Sequence, residues 1–391
     1  MLAQADQIKK LIVFSPYYPP HLGGVENYAD ELNKYLSLQG IDIIVFTPRL
    51  PQESPEFETK YENVKIVRFP AFEIIPNYPM PKFWSLKYWT MRKNIFSQNF
   101  NFVISHTRFF CTSLQALCFA KRKKIKWLHI EHGSSFVRHH NKLVYFYSRL
   151  YDFSLGRIIL SKSDRVVAVS QAALSFVVKL APKARCQLIY RGFDHKIIDA
   201  VKSNQTLKEK NKDSFLVIYI GRLISGKGVA DLIRAMGILK NRKVKCLIIG
   251  DGPEKMSLES LAAELGIEEN VIFLGYKEHR ETLALLKSAD VFVNPSYTEG
   301  LPTTVIEAAL CKIPIIATNV GGTSEIISDQ KNGFLIRPKD PQIMAEKINY
   351  LLNHAEIRKQ LGEKACKSVK VKFSWDNSIA EFTKIFNELY E

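Results

Sequence analysis

The chain has 391 residues, 46% of them hydrophobic, which suffices for two or so full cores and excludes a disordered protein. Its formal charge of +16 sits mostly in the first half: residues 1–195 hold 27 Lys/Arg against 14 Asp/Glu, a net of +13, and the rest supplies +3. No apolar run nears the roughly 20 residues that span a bilayer, the run at 11–14 is too short for a signal sequence, and the six cysteines (Cys111, Cys118, Cys186, Cys246, Cys311, Cys366) form no Cys-x-x-Cys pair, so a reduced, cytosolic protein without a disulfide or zinc framework is expected.

The first predicted strand covers 11–14. A loop follows, ending in Gly23-Gly24, and then a helix over 25–38 with apolar residues at Ala29, Leu32, Tyr35 and Leu36. Gly40 closes that helix, and a strand covers 41–46. Strand, glycine loop, helix and strand in this order open a doubly wound domain. Further strands are predicted at 64–69, 102–105, 126–130, 165–169 and 187–190. Between them, residues 82–191 hold 20 basic residues and three acids. A bias so local points to an anionic partner. The polar, lysine-rich stretch 195–213 reads as an interdomain linker.

A second alternation begins at a strand over 215–220, followed by the loop Gly221-Arg222-Leu223-Ile224-Ser225-Gly226-Lys227-Gly228 and a helix over 229–239. Strands at 246–249, 271–274, 291–293 and 314–318 each run into a glycine-containing or polar loop. Alternation of this kind implies a parallel sheet covered on both faces, with ligands bound at the carboxyl ends of the strands.

The most informative loop is Ser296-Tyr297-Thr298-Glu299-Gly300-Leu301-Pro302, followed by a helix over 305–310. Pro302 suits the first helical position, and Gly300 permits close backbone approach to a ligand. The unpaired first amides of the helix form an anion site. Glu299 in the loop and Glu307 on the helix bracket that site, where a carboxylate suits sugar hydroxyls.

These residues carry a resemblance. Glu299-Gly300-Leu301-Pro302 with Glu307 after seven intervening residues resembles the signature of retaining, nucleotide-sugar-dependent glycosyltransferases of family 4, which have the GT-B fold. Gly23-Gly24-Val25-Glu26 is similar to that family's amino-terminal loop near the donor diphosphate, and Gly221-Arg222-Leu223 with Lys227-Gly228 to its diphosphate clamp. Glu131-His132-Gly133 and Ser170 resemble elements that face the cleft. Arg191-Gly192-Phe193-Asp194 stands where the family has Asn-Gly-x-Asp, so no role transfers to Arg191. The resemblance covers roughly 11–40, 126–194 and nearly all of 215–375.

The resemblance implies an α/β fold of two Rossmann-like domains with parallel sheets facing across a cleft. The expected divisions are 1–195 on the acceptor side, 196–372 for the nucleotide sugar, and a helix over 373–391 crossing back. It implies transfer of a sugar from a UDP- or GDP-sugar to an acceptor hydroxyl, with retention, in cell-surface glycan or glycolipid synthesis. Arg222 and Lys227 would stabilise the leaving diphosphate with the amides near Gly24 and Leu301; Glu307 would hold the ribose; Glu299 and His132 would contact the donor sugar. Donor binding thus involves Gly23, Gly24, Gly300, Leu301 and Pro302 as well. No Asp-x-Asp triplet occurs, so neither a metal nor a cofactor is expected. Phe83, Trp84, Tyr88 and Trp89 interleave with Lys82, Lys87, Arg92 and Lys93, with Lys121-Arg122-Lys123-Lys124 further on. This suggests peripheral contact with the anionic inner face of the cytoplasmic membrane and a lipid-linked or glycan acceptor. The rival classes are an epimerase or phosphorylase of the same fold and a non-catalytic, basic nucleotide- or nucleic-acid-binding protein. Nucleic acid is not expected, since no motif for it is present.

Overall fold

The computed structural model describes residues 9–21, 23–75, 78–136, 142–241 and 243–390. The chain divides into two units, Met1–Gly192 with Trp375–Glu391, and Phe193–Ser374.

The first unit is built on strands β1 (Lys10–Phe14), β2 (Asp42–Pro48), β3 (Phe57–Lys60), β4 (Val64–Phe69), β5 (Ala71–Ile75), β6 (Tyr78–Pro81), β7 (Phe102–His106), β8 (Lys126–Glu131), β9 (Arg165–Ala168) and β10 (Cys186–Leu188). Eight of them form one sheet in the order β10-β9-β8-β7-β1-β2-β4-β3, and β5 pairs with β6 in a separate hairpin. Within the eight-stranded sheet the pairs are parallel except β3–β4, which is antiparallel like the β5–β6 hairpin. Leu11 aligns with Ile43 on one side and Phe102 on the other. The interior strands are continuous apolar runs because helices cover both faces, as in other parallel sheets. The strand order reverses about β1, so the carboxyl ends of β1, β7 and β8 lie side by side at a switch point, where open α/β sheets place their ligands.

The helix Gly24–Ser37 buries Tyr28, Ala29, Leu32 and Leu36 against this sheet. The last helix, Trp375–Tyr390, belongs to the same core through Trp375, Ile379, Phe382, Ile385, Phe386 and Leu389. Their spacing follows one helical face. Trp375 stacks on Tyr35 at 4.9 Å, and Phe386 meets Phe102 at 5.1 Å. A Cβ at Gly192 would strike Trp375, so this glycine lets the returning chain pass close. The helix Lys142–Tyr151 continues through a π-helical turn, Asp152–Gly156, into the helix Arg157–Lys162.

The second unit holds a six-stranded, all-parallel sheet of β11 (Phe215–Ile220), β12 (Val244–Ile249), β13 (Val271–Gly275), β14 (Val291–Asn294), β15 (Ile315–Thr318) and β16 (Phe334–Ile336). Its order is β13-β12-β11-β14-β15-β16. β11 and β14 are neighbours although some 70 residues separate them, with Val217 opposite Val291. The order reverses there, so the loops after β11 and β14 meet at this unit's switch point.

The stretch read as a linker is ordered. Residues 195–213 carry the helices His195–Ala200 and Gln205–Lys210 within the second unit. Lys287 Nζ donates to the carbonyls of Ile198 at 2.6 Å and Val201 at 2.7 Å, and Asn204 caps the second helix through Leu207 N at 2.9 Å. Polar composition misleads here because the stretch is held by its backbone groups together with only a few apolar side chains, Ile198 and Val201, which are buried.

Candidate active site

In the second unit the β11 loop and the β14 loop bring two of the candidate residues into contact. Lys227, on the 3₁₀ turn Ser225–Lys227, donates from Nζ to Glu299 Oε1 at 2.7 Å. Ser296 donates to the same oxygen at 2.6 Å, and its hydroxyl is also 2.9 Å from Asn294 Oδ1. Thr318, at the end of β15, donates to the Ser296 carbonyl. The Glu299 side chain is 10% exposed and that of Lys227 24%. The pair is therefore open to a ligand while strand ends hold it from below.

Two glycines make this approach possible. Gly228 has φ +64°, and a Cβ there would overlap the Pro295 carbonyl. Gly321 has φ +54°, and a Cβ there would overlap the Glu299 carbonyl. Both are left-handed positions that favour glycine and sit where two loops touch. Gly322 N donates to Gly300 O at 2.8 Å, and Tyr297 N to Gly226 O at 2.9 Å. Tyr297 OH donates to Asp231 Oδ2 at 2.8 Å, tying the glutamate loop to the first turn of the helix Val229–Leu239.

The helix after Glu299 spans Thr303–Leu310, with Pro302 in extended conformation as its N-cap, one position earlier than expected. The Pro302 carbonyl accepts from Val305 at 3.2 Å and Ile306 at 3.4 Å, so the amides of Thr303 and Thr304 stand ahead of the intrahelical ladder. Gly300 and Leu301 lie in the loop leading to them. Glu307 is on this helix with Oε1 3.0 Å from His279 Nε2. Arg222 is exposed on the β11 loop, and its carbonyl accepts from Tyr219 OH at 3.1 Å.

His132, Gly23 and Gly24 belong to the first unit. Gly23 is the N-cap and Gly24 the first residue of the helix Gly24–Ser37. The Glu26 carboxylate folds back beside Gly23, within 2.6 Å of where a Cβ would stand, and pairs with His21. A carboxylate thus already lies at this helix start, where anions are favoured. Ser170 N-caps the helix Gln171–Leu180 by accepting from Ala173 N at 3.0 Å. Arg191 pairs with Glu31 at 2.8 Å.

His132 follows the last residue of β8. That residue, Glu131, is fully buried and accepts from four donors: Arg108 Nη1 at 2.9 Å, Arg108 N at 3.2 Å, Gly133 N at 2.7 Å and His129 Nε2 at 3.4 Å. Arg108 also holds Asp152 through Nε at 2.9 Å and Nη2 at 3.2 Å. Burial raises the Glu131 pKa, but Arg108 and the hydrogen bonds outweigh it and bring it down to about 2. The carboxylate is ionised at neutral pH and fixes the turn that presents His132. Sequence reasoning missed Arg108, Asp152 and His106, because each is distant along the chain from the motif it supports. The one available signal was the scarcity of acids across 82–191, which made Glu131 and Asp152 conspicuous.

Among the described residues no cluster of three or more His, Cys, Asp or Glu has the geometry of a metal site.

The family model described as "Glycosyltransferase Family 4" matches residues 22–197, and that described as "Glycosyl transferases group 1" matches 202–368. An uncharacterized glycosyltransferase of Methanocaldococcus jannaschii is 36% identical over 97% of this chain and 98% of its own length. Sucrose-phosphate synthase from Thermosynechococcus elongatus superimposes with a TM-score of 0.81 at 19% identity, covering 98% of this chain and 99% of that one. The Anabaena protein HepE, crystallised with UDP, gives a TM-score of 0.77 at 18% identity over 97% of this chain and 100% of that one. At such identities the two structures speak for the fold alone. Together with the full-length relative and the two family models, they show that the chain belongs to the group 1, family 4 glycosyltransferases and is an enzyme with the GT-B fold.

Proposed function

We propose that this glycosyltransferase moves a sugar from a nucleotide diphosphate sugar to an acceptor hydroxyl with retention at the anomeric carbon, and without a divalent cation. The observation that carries the reading is the Lys227–Glu299 pair at 2.7 Å, set beside the leading amides of the helix Thr303–Leu310. Breaking the glycosidic bond places negative charge on the diphosphate. Lys227, Arg222 and those amides would offer it positive charge and donors, and such preorganised stabilisation is usually the largest part of a rate enhancement. Glu299, once Lys227 turns to phosphate, accepts from sugar hydroxyls. Glu307 takes the ribose diol, exchanging its contact with His279, and His132 acts on the sugar-transfer step. Retention rests on the Glu299 and Glu307 motif, and no side-chain nucleophile is assigned. The leaving phosphate takes the proton of the acceptor. The binding of UDP by HepE favours a UDP-sugar.

A thermal-shift screen tests this, because a ligand of the folded state raises its stability. UDP, GDP, ADP and their sugars are compared; a rise with one nucleotide diphosphate and its sugar is expected. No shift with any of them at millimolar concentration would overturn the reading.

One further observation favours a membrane-bound acceptor. Leu143, Phe146, Tyr147, Leu150, Phe153, Leu155 and Ile158 are all exposed along the helix Lys142–Tyr151, its π-helical continuation and the start of the helix Arg157–Lys162. Phe83, Trp84, Leu86 and Trp89 are exposed about the start of the helix Leu86–Ser97, with Lys87 among them. Apolar groups amid basic residues suit the headgroup layer of an anionic bilayer, where each cation adds about 1 kcal/mol. No helix among the described residues is long and apolar enough to cross a membrane. The enzyme therefore docks peripherally on the inner face of the cytoplasmic membrane and glycosylates a lipid-linked or other anionic glycan. Flotation with anionic but not neutral liposomes, weakened by salt, supports this. Absence of binding to either at low salt defeats it.

A further inference from the structure

β7 ends in a histidine that lies against the β8 turn. His106 is fully buried, and its Nδ1 is 3.2 Å from His132 Nε2. Its other nitrogen, Nε2, is buried and has no hydrogen-bond partner among the described residues. Tyr28 stands edge-on to both rings, at 4.9 Å from His132 and 6.0 Å from His106, and limits their rotation. Burial is the largest cause that lowers both pKa values, His106 well below its ordinary range and His132 to about 4. For His132 the Glu131 carboxylate opposes this, while His129 and Arg191 add to it. Both rings are neutral at pH 7, so each carries one proton and one lone pair.

Two arrangements fit the 3.2 Å contact. In one, His132 donates from Nε2, and the proton of His106 must sit on its own Nε2. That leaves a buried N–H without an acceptor, at a cost of roughly 1–3 kcal/mol. In the other, His106 donates from Nδ1 and only a lone pair is left unmet. Orphaned buried N–H groups are the rarer of the two in folded proteins. The second arrangement is favoured. His132 then bears its proton on Nδ1, which makes no bond to a described residue.

We infer that His106 is a positioning residue that fixes His132 as the Nδ1–H tautomer, so that His132 gives a hydrogen bond to an oxygen of the donor sugar and does not act as a base through Nε2. The part of this that concerns the sugar rests on the role proposed for His132; the tautomer does not.

Long-range ¹H–¹⁵N correlation spectra of the full chain with labelled histidines read the tautomer directly, with the His106 and His132 signals assigned from H106N and H132N. The expected signature for His132 is a protonated Nδ1 and a bare Nε2. A protonated Nε2 on His132 overturns the inference. Kinetics supply the second arm. In H106N the amide nitrogen can replace Nδ1 as donor, whereas H106L has none. H106L is expected to lose about 10-fold in kcat/KM, the worth of one hydrogen bond, with unchanged affinity for the nucleotide diphosphate, and H106N to recover most of it. Equal losses in both variants, at equal melting temperature, count against the positioning role; if H106L does not fold, the wild-type spectrum decides. Wild-type transfer by H132A alongside a wild-type Nδ1–H signature would remove the sugar contact and leave the tautomer supported.

Discussion

Glu131 and Glu299 are both carboxylates at the carboxyl edge of a parallel sheet, one in each unit, and they are held in opposite ways. Glu131 is sealed from solvent and surrounded by four fixed donors: the Arg108 guanidinium, the backbone amides of Arg108 and Gly133, and the His129 ring. Glu299 is part-exposed and meets a lysine and a serine hydroxyl, the lysine on a flexible stem that is itself part-exposed. A donor set built from backbone and a buried guanidinium cannot be exchanged without unfolding the turn. A lysine ammonium can leave for a phosphate at little cost, because its stem has many rotamers. Burial thus separates a carboxylate that builds the framework from one that can take part in binding.

The largest effect is expected where that framework is cut. Arg108→Met leaves Glu131 and Asp152 buried without their countercharge. Removing one partner of a buried ion pair typically costs about 3–5 kcal/mol. The variant should melt far below wild type or fail to accumulate. A wild-type urea midpoint would show that this network carries no such load.

Glu131 and the two histidines near it give the fold an acid limit, and the sign is fixed by the downward direction of their three shifts. Glu131 has a folded pKa of about 2, below its value in the unfolded chain, so its contribution is present above about 4.5 and is lost as pH falls towards 2. His132 is depressed to about 4 and His106 is depressed as well, so the unfolded chain takes up their protons first. Stability should therefore fall as pH drops from about 6.5 to 4, by roughly 1.4 kcal/mol per pH unit for each proton bound on unfolding. Melting curves between pH 7.5 and 4.5 measure it. A flat profile would mean that these histidines are not held neutral.

In the second unit the loss should appear in rate and not in stability. Lys227→Ala and Arg222→Ala each remove a charge that the proposed reaction puts to use at the leaving diphosphate. A single preorganised donor of this kind is worth on the order of 10²-fold in turnover. Both side chains reach solvent, so the melting temperature should hold. Normal melting together with wild-type turnover would take the residue out of the site.

Smaller again is the effect of Glu307→Gln, which keeps the shape of the side chain and removes its charge. Hydrogen bonds to a charged group contribute about 1.5–3 kcal/mol, so affinity for the free nucleotide diphosphate should fall 10-fold or more. Calorimetry reads it, and equal affinity in variant and wild type refutes the ribose assignment.

Much of this was legible in the sequence, and what was not has a common cause. The interior strands of both sheets show as apolar runs such as Leu11-Ile12-Val13-Phe14 and Phe215-Leu216-Val217-Ile218-Tyr219-Ile220, because burial on both faces leaves no room for polar side chains. β3, with the sequence Phe-Glu-Thr-Lys, offers no such run and exists through its register with β4. The spacing of Arg222, Lys227, Glu299 and Glu307 could be read, but the Lys227–Glu299 contact could not, since it needs β11 and β14 to be neighbours. Arg108 and Asp152 are 44 residues apart and meet only because β7, β8 and the π-helical turn converge. Local chemistry is written locally; the polar groups that brace it come from wherever the topology sends them.

The smallest predicted effect is the one that most sharpens the comparison between a fixed framework and an exchangeable pair. If Lys227 and Arg222 supply the positive charge at the leaving diphosphate, a divalent cation adds nothing that the loop lacks. Guanidinium and ammonium groups hold their charge at neutral pH without a metal, and the loop that carries them is positioned by glycines that let it touch its neighbour. The transfer rate should then be nearly unchanged in excess EDTA. In Lys227→Ala, added Mg²⁺ should recover little, because the sequence has no Asp-x-Asp triplet and no metal-site cluster of His, Cys, Asp or Glu occurs among the described residues. A wild-type rate that collapses in EDTA and returns with Mg²⁺ or Mn²⁺ would move the positive charge from the protein to a metal. Glu299 would then be the first residue to test as its ligand, which Glu299→Gln assayed over a range of Mn²⁺ concentrations would decide.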